Sequence, residues 1–115
     1  MPVATGFILV VSMDIAPEKE ALFHEVYAEH CAYLKDVPGV QNISRFRGDE
    51  FAIALGGAIL PKPAASPRFI AVYEIDSPDV LTSDAWAAAV EKGRWSDEIR
   101  PYTSNRTHAL YAKLP

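Results

Sequence analysis

Two strand-like segments of this chain are apolar on both of their faces. Residues 6–15 (GFILVVSMDI) and residues 68–76 (RFIAVYEID) carry hydrophobic side chains at nearly all odd-numbered and even-numbered positions. A strand whose sheet has one face in water alternates apolar and polar residues instead. A bare second face would leave a large apolar patch on the surface. These strands therefore require a covering layer on each side of their sheet.

A long amphipathic helix is predicted between them, over residues 17–37. Pro17 suits the first helical turn, and Pro38 and Gly39 end the helix. At 100° per residue, one stripe of the helix is apolar and the opposite side carries Glu, Lys and Asp. The stripe consists of Leu22, Phe23, Val26, Tyr27, His30, Tyr33, Leu34 and Val37.

His30 lies at the centre of this stripe, with Tyr27 and Tyr33 on either side. One interpretation is a core histidine whose ring is hydrogen-bonded, since buried polar groups usually find partners. The other is a histidine that lines a cavity, where a pKa near neutrality would suit acid–base chemistry. In that case the two tyrosines could donate hydrogen bonds to a ligand.

The remaining elements complete a βαββαβ order. Residues 40–47 predict a second strand, Ser83 caps a helix that Gly93 ends, and residues 103–114 predict the last strand. This order is typical of one α+β domain over residues 1–115, a ferredoxin-like fold with a four-stranded antiparallel sheet and both helices on one face. A second copy of the chain is the simplest cover for the other face, which predicts a homodimer.

Residues 49–67 form a long, apolar and proline-rich segment. Its first part, residues 51–55, could prolong the second strand, with Gly56 and Gly57 as a turn. We expect no regular structure in the proline-rich remainder. The segment is interpreted as a loop that packs on a pocket mouth or a partner chain, or as an ordinary surface loop.

Composition excludes several functional classes. The net charge of −4, without a basic run, argues against nucleic acid as a partner. The single cysteine, Cys31, excludes an internal disulfide and a cysteine-based zinc site. His24 and His30 diverge by about 120° on the helix, so no metal site is predicted. The apolar runs are too short to span a membrane, and a cytoplasmic protein is expected.

Several motifs resemble the dimeric α+β barrel superfamily, and most closely its small EthD-like members. The resemblance depends on the Tyr27-x-x-His30 pair, the Pro38-Gly39-Val40 turn, the Arg45-Phe46 pair and a later segment, YEIDSPDVL over residues 73–81. It covers nearly the whole chain except residues 49–67. The resemblance implies homodimerisation and a pocket between sheet and helices in each subunit. Members of the superfamily include cofactor-free monooxygenases, haem-degrading enzymes, isomerases, cyclases and lyases.

The candidate catalytic residues are His30, Tyr27 and Arg45. His30 would move a proton, while Arg45 or a tyrosine would hold a developing enolate or phenolate oxygen. Arg45 could equally be a solvated strand arginine or an interface ion-pair partner. The side chains predicted to contact the substrate are Tyr33, Tyr73, Trp86, Trp95 and His108.

Those substrate contacts also have structural interpretations. Tyr73 and Trp86 could be core residues. His108, on the last strand, alternates with Arg106 and Leu110, so it could face the barrel or water.

Two functional hypotheses remain open. The first is a cofactor-free enzyme that acts on a small apolar carbonyl or aromatic compound, with His30 as acid or base. The second is a non-catalytic ligand-binding or stress-related homodimer, and a regulatory effector module is a weaker third. Haem with His30 as axial ligand is the one cofactor considered, although no other residue marks a porphyrin pocket. A cavity of several hundred Å³ that reaches His30 would favour the enzyme.

Overall fold

The computed structural model describes residues 5–115, and the predicted elements are present in the predicted order. A 3₁₀ turn, Pro17–Lys19, leads into the first helix, and another, Pro78–Thr82, precedes the second. A π-helical turn, Trp95–Ile99, and a 3₁₀ turn, Arg100–Tyr102, lead into the last strand. The helices and strands are β1 (Phe7–Ile15), α1 (Glu20–Lys35), β2 (Val40–Arg47), β3 (Phe51–Leu55), β4 (Ala58–Lys62), β5 (Phe69–Ile75), α2 (Asp84–Val90) and β6 (Thr103–Ala112).

Four strands form one antiparallel sheet in the order β2-β5-β1-β6. This is the ferredoxin-like arrangement of the βαββαβ order, and the α+β prediction is confirmed. The buried core consists of one face of this sheet together with the inner faces of α1, α2 and the π-helical turn. The buried residues of α1 all belong to the predicted stripe, of which Leu22 and Tyr33 are only partly buried; they are Phe23, Val26, Tyr27, His30 and Leu34.

The register of the strands shows which of the two alternating sets of side chains faces the helices. Val11 lies opposite Ala71 on β5 and opposite His108 on β6, and Val11 and Ala71 are buried in the core. Opposite residues of neighbouring strands share a face. His108 therefore lies on the helix side of the sheet, a question that strand alternation alone left open.

The second face of the sheet points away from the helices and contributes no residue to the hydrophobic core. Val10 on β1 lies opposite Val72 on β5, and both are only partly buried. On the outer strands, Phe46 is 54% exposed and Tyr111 is 55% exposed. In a single chain this apolar face has no layer of helices among residues 5–115.

The segment 49–67 differs from its prediction. Residues 51–55 do not prolong β2 but pair with β4 in a separate two-stranded sheet. The expectation that the proline-rich remainder has no regular structure is wrong for Ala58–Lys62. Gly56 and Gly57 form the turn, as predicted, and both have positive φ, which the favoured two-residue hairpin turn requires. An exposed edge strand tolerates Pro61, because its missing N–H costs no ladder bond.

Candidate functional site

A cavity of about 580 Å³ lies between the helices and the sheet. One wall is the helix-facing side of β1, β5 and β6, and the other comes from α1, α2 and the turns around them. Its size falls within the range of small-molecule sites. The apolar lining residues are Leu9, Val11, Met13, Leu34, Leu81, Trp86, Val90 and Trp95. The lining residues with polar groups are Tyr27, His30, Tyr73, Arg100, Arg106 and His108.

Most of the candidate site residues meet at this cavity. His30 and Tyr27 come from α1, where the helical spacing of three places them one turn apart. Tyr73 comes from the middle of β5 and His108 from β6. The two tryptophans, Trp86 and Trp95, supply flat apolar walls from α2 and the π-helical turn.

Arg45 does not line the cavity. Its guanidinium lies 4.5 Å from the ring centre of Tyr27 and 5.2 Å from that of Phe23, and it donates a 3.0 Å hydrogen bond to His24 Nδ1. The small void that Arg45 helps to line beside Tyr27 and Phe23 has no room for a water molecule. Arg45 therefore packs against the Tyr27 and Phe23 rings outside the cavity, where it could position Tyr27.

Tyr33 also lies outside the cavity. Its ring faces the turn that follows α2, and the Lys92 ammonium is 5.9 Å from its centre. A Cβ at Gly93 would come within 2.7 Å of the Tyr33 ring. Tyr33 is thus part of the contact between α1 and the end of α2.

His30 is 6% exposed and lies flat against Trp95, with ring centres 4.8 Å apart and planes 22° apart. The Tyr27 ring meets it edge-on at 5.6 Å. Nδ1 of His30 is buried and has no hydrogen-bond partner among residues 5–115. Burial lowers the pKa of His30 to about 4, the nearby Arg100 charge also lowers it, and Glu91 opposes this effect. The expectation of a pKa near neutrality is therefore wrong, and the ring is neutral at pH 7.

Tyr27 and Tyr73 form a hydroxyl pair in the wall of the cavity, with oxygens 3.1 Å apart. Burial raises the pKa of Tyr27 to about 12 and that of Tyr73 well above its usual value. Both hydroxyls therefore keep their protons at physiological pH. Only one of the two O–H groups donates within the pair, so the other O–H can donate to a ligand.

Sequence reasoning missed Arg100 and Arg106 as lining residues. Arg106 and His108 are two residues apart on β6, so their side chains point to the same face. If the sequence had shown that His108 faces the helices, Arg106 would have been predicted there as well. Arg100 lies in the irregular turns between α2 and β6, where no periodicity marks an inward side. It donates two hydrogen bonds, of 3.0 and 2.8 Å, to the Glu91 carboxylate.

No protein-family model matches the chain, and no curated protein matches its sequence. Solved structures match it along nearly its whole length. The haem-degrading protein MhuD of Mycobacterium tuberculosis, in a substituted form with manganese protoporphyrin bound, is 11% identical at a TM-score of 0.62, over 95% of each chain. SnoaB, a cofactor-independent oxygenase of Streptomyces nogalater, is 13% identical at a TM-score of 0.59, over 95% of this chain and 93% of its own.

An EthD-family protein of Bacillus halodurans is 13% identical at a TM-score of 0.56, over 94% of this chain and 99% of its own. These matches confirm the ferredoxin-like fold that the sequence resemblance implies. At these identities the similarity extends to the fold alone, and the neighbours differ in their chemistry.

Within residues 5–115, no three His, Cys, Asp or Glu side chains come together in a group that could hold a metal ion. No helix in the same range has the length and apolarity needed to cross a membrane.

Proposed function

We propose that this protein is a small-molecule enzyme that works without a cofactor on a small apolar carbonyl or aromatic compound. The observation that carries the proposal is the cavity of about 580 Å³, in which His30 and the Tyr27–Tyr73 hydroxyl pair line one apolar space. A cavity that reaches His30 also supports the enzyme over a packed histidine.

The proposed chemistry is a proton transfer that begins at a C–H or O–H bond of the substrate. The neutral imidazole of His30 accepts the proton, and the free O–H of the tyrosine pair donates to the enolate or phenolate oxygen. A base with a pKa of about 4 is weak, so the donor at the oxygen must carry much of the stabilisation. In the apolar cavity that hydrogen bond is stronger than in water. Return of the proton to another atom completes an isomerisation, and loss of a leaving group gives a lyase reaction.

Haem does not suit the donor set of this cavity. A histidine that binds a metal almost always donates its other ring N–H to an acceptor. Nδ1 of His30 has no such acceptor among residues 5–115, and the ring lies flat against Trp95. The proposed reaction therefore involves no porphyrin.

The proposed assembly is a homodimer in which the second faces of two sheets pack against each other. This packing would cover Val10, Val72 and the exposed rings of Phe46 and Tyr111. The β3–β4 hairpin, whose Leu55 is also exposed, would contact the partner chain at the edge of this interface.

Sedimentation tests the dimer. Val72→Glu should give monomer or aggregate, because a charge would enter an apolar interface. Ala88→Glu, on the exposed side of α2, is the matched control and should sediment as the wild type. A stable dimer of Val72→Glu would contradict this packing.

A non-catalytic ligand-binding homodimer is the second candidate. It is favoured by the unpartnered Nδ1, because catalytic bases are commonly oriented by a third group. In this case the cavity would bind the same class of compound without turnover.

Deuterium exchange separates the two candidates. Phenylacetone in D₂O has a slowly exchanging C–H next to its carbonyl, and NMR follows the exchange. We expect the protein to accelerate it, and His30→Phe and Tyr73→Phe to lower that acceleration at least tenfold, since acid–base catalysis contributes about 10²–10⁴-fold. Tyr102→Phe, which changes an exposed tyrosine away from the cavity, is the control. Ketone binding without accelerated exchange would favour the non-catalytic candidate.

A further inference from the structure

The cavity wall carries positive charge, although the chain as a whole is negatively charged. The chain has a net charge of −4, yet Arg100 and Arg106 line the cavity, and none of the lining residues found within residues 5–115 is Asp or Glu. An apolar cleft lined by one sign of charge attracts ligands of the opposite sign. The lining therefore favours an anionic group on the ligand.

The two arginines are not equivalent. The Glu91 carboxylate accepts two hydrogen bonds from Arg100, at 3.0 and 2.8 Å, and thus holds this guanidinium. Arg106 is exposed, and its guanidinium forms no hydrogen bond or ion pair with any residue among 5–115. Its position on the cavity wall and its exposure place it where the cavity opens to solvent. Arg106 is the guanidinium that a ligand can bind without breaking an existing pair.

A β-bulge fixes the backbone at Arg106. Ser12 pairs with Thr107 and Asp14 with Ser104, so two residues of β6, Asn105 and Arg106, lie opposite one residue of β1. Asn105 has a φ of 54°, and its side-chain amide donates a 2.8 Å hydrogen bond to the Asp14 carboxylate. Bulges of this kind often direct a side chain towards an active site. The anchored bulge is independent support for a defined role of Arg106.

We propose that the cavity takes an amphipathic organic carboxylate, with its carboxylate on Arg106 and its apolar body against Trp86 and Trp95. This inference rests on the proposed function, since it names the substrate class of the same cavity. A planar guanidinium binds a planar carboxylate through two parallel hydrogen bonds. A single unpaired guanidinium suits one such monoanion better than a dianionic phosphate.

The bound carboxylate would also affect the catalytic base. Burial is the main cause of the low pKa of His30 and the Arg100 charge adds to it, so a ligand anion near the arginines would offset the smaller of these two effects. The pKa of His30 would then rise only when the substrate is bound. A stronger base would thus be present when there is a proton to remove.

Tryptophan fluorescence provides a direct assay, because the two tryptophans of the chain, Trp86 and Trp95, both line the cavity. The probes are 4-tert-butylbenzoate and its neutral isostere 4-tert-butylbenzamide. We expect the benzoate to bind at least tenfold more tightly, and this preference to be lost in Arg106→Gln. Arg47→Gln, which removes an exposed strand arginine away from the cavity, should keep the preference. Arg106→Lys should give an intermediate result and serves if the glutamine variant does not fold.

Three outcomes would overturn the inference. The first is equal binding of benzoate and benzamide by the wild type, and the second is a preference for benzoate that survives in Arg106→Gln. The third is tighter binding of 4-tert-butylphenyl phosphate than of the benzoate. The deuterium-exchange assay with neutral phenylacetone decides the proposed function separately, so the inference can fail while that function stands.

Discussion

Replacement of His30 by phenylalanine should weaken the dependence of stability on acid pH. The burial of His30 lowers its folded-state pKa from 6.5 to about 4. Above pH 6.5 the ring is neutral in both states, so folding involves no proton release. As the pH falls from 6.5 towards 4, the unfolded chain binds a proton that the folded chain does not, and stability is lost. Since one pKa unit corresponds to about 1.36 kcal/mol, the full loss is about 3 kcal/mol.

Most of this loss of stability occurs within a pH range in which unfolding can be measured. Between pH 7.5 and pH 4.5 the same two pKa values give a loss of about 2.5 kcal/mol from His30 alone. His30→Phe removes the titrating ring but keeps an aromatic face for Trp95, and the added atoms can enter the adjacent cavity. It also removes the unpartnered Nδ1, whose burial costs about 1 kcal/mol or more. The variant should therefore be at least as stable as the wild type at pH 7.5.

Urea denaturation at pH 7.5 and pH 4.5 measures the difference. Other groups that titrate in this range are the same in both proteins, so their contributions cancel in the comparison. The wild type should lose about 2.5 kcal/mol more than His30→Phe between the two pH values. Equal losses would refute the desolvation of His30. A variant that is about 2 kcal/mol less stable at pH 7.5 would show instead that the ring makes a hydrogen bond in the core.

Three further substitutions test the surroundings of the cavity. Tyr27→Phe and Tyr73→Phe should each cost about 1–3 kcal/mol of unfolding free energy, because each leaves a buried hydroxyl without its partner. The double variant should cost clearly less than the sum, and additive costs in a thermal or urea double-mutant cycle would rule out the pair. Gly93→Ala should destabilise the fold by more than about 1 kcal/mol in the same assay, since its φ is 72° and its Cβ would meet Glu29 and Tyr33 within 2.7 Å. An unchanged midpoint would mean that this turn is not close-packed.

The helical part of the site could be predicted because burial follows simple geometry there. The 100° rotation per residue places Tyr27 and His30 on the inner stripe of α1, and both are buried. The same geometry misled at Tyr33, which lies at the edge of the stripe and packs on the turn at Gly93 instead. A helix projection gives the direction of a side chain but not the neighbour that it meets.

The strand residues of the site are harder to predict, because alternation defines the two faces of a strand but not which face points to the helices. Arg45 does lie on the helix side of β2, opposite Ala71, yet Tyr27 separates it from the cavity. Its position along the strand, relative to α1, is a tertiary property that the sequence does not contain. His108 was unresolved for the same reason until its register with Val11 was known.

Within the segment 49–67, the turn at Gly56 and Gly57 is predicted correctly, but the proline-rich part is wrong because proline does not exclude a strand with an exposed edge. Pro61 lies in a two-stranded sheet with exposed edges, where its missing N–H does little harm. The two glycines at residues 56 and 57, with apolar residues on both sides of them, are the sequence pattern of a β-hairpin.

An NMR titration of the His30 imidazole tests most directly whether this histidine is a neutral base in an accessible cavity. The free protein should show a pKa of about 4 for His30, and its ring signals should move when phenylacetone is added. Addition of 4-tert-butylbenzoate should raise the pKa, while 4-tert-butylbenzamide should not. A pKa near 6.5, or ring signals that no ligand changes, would contradict the proposed site.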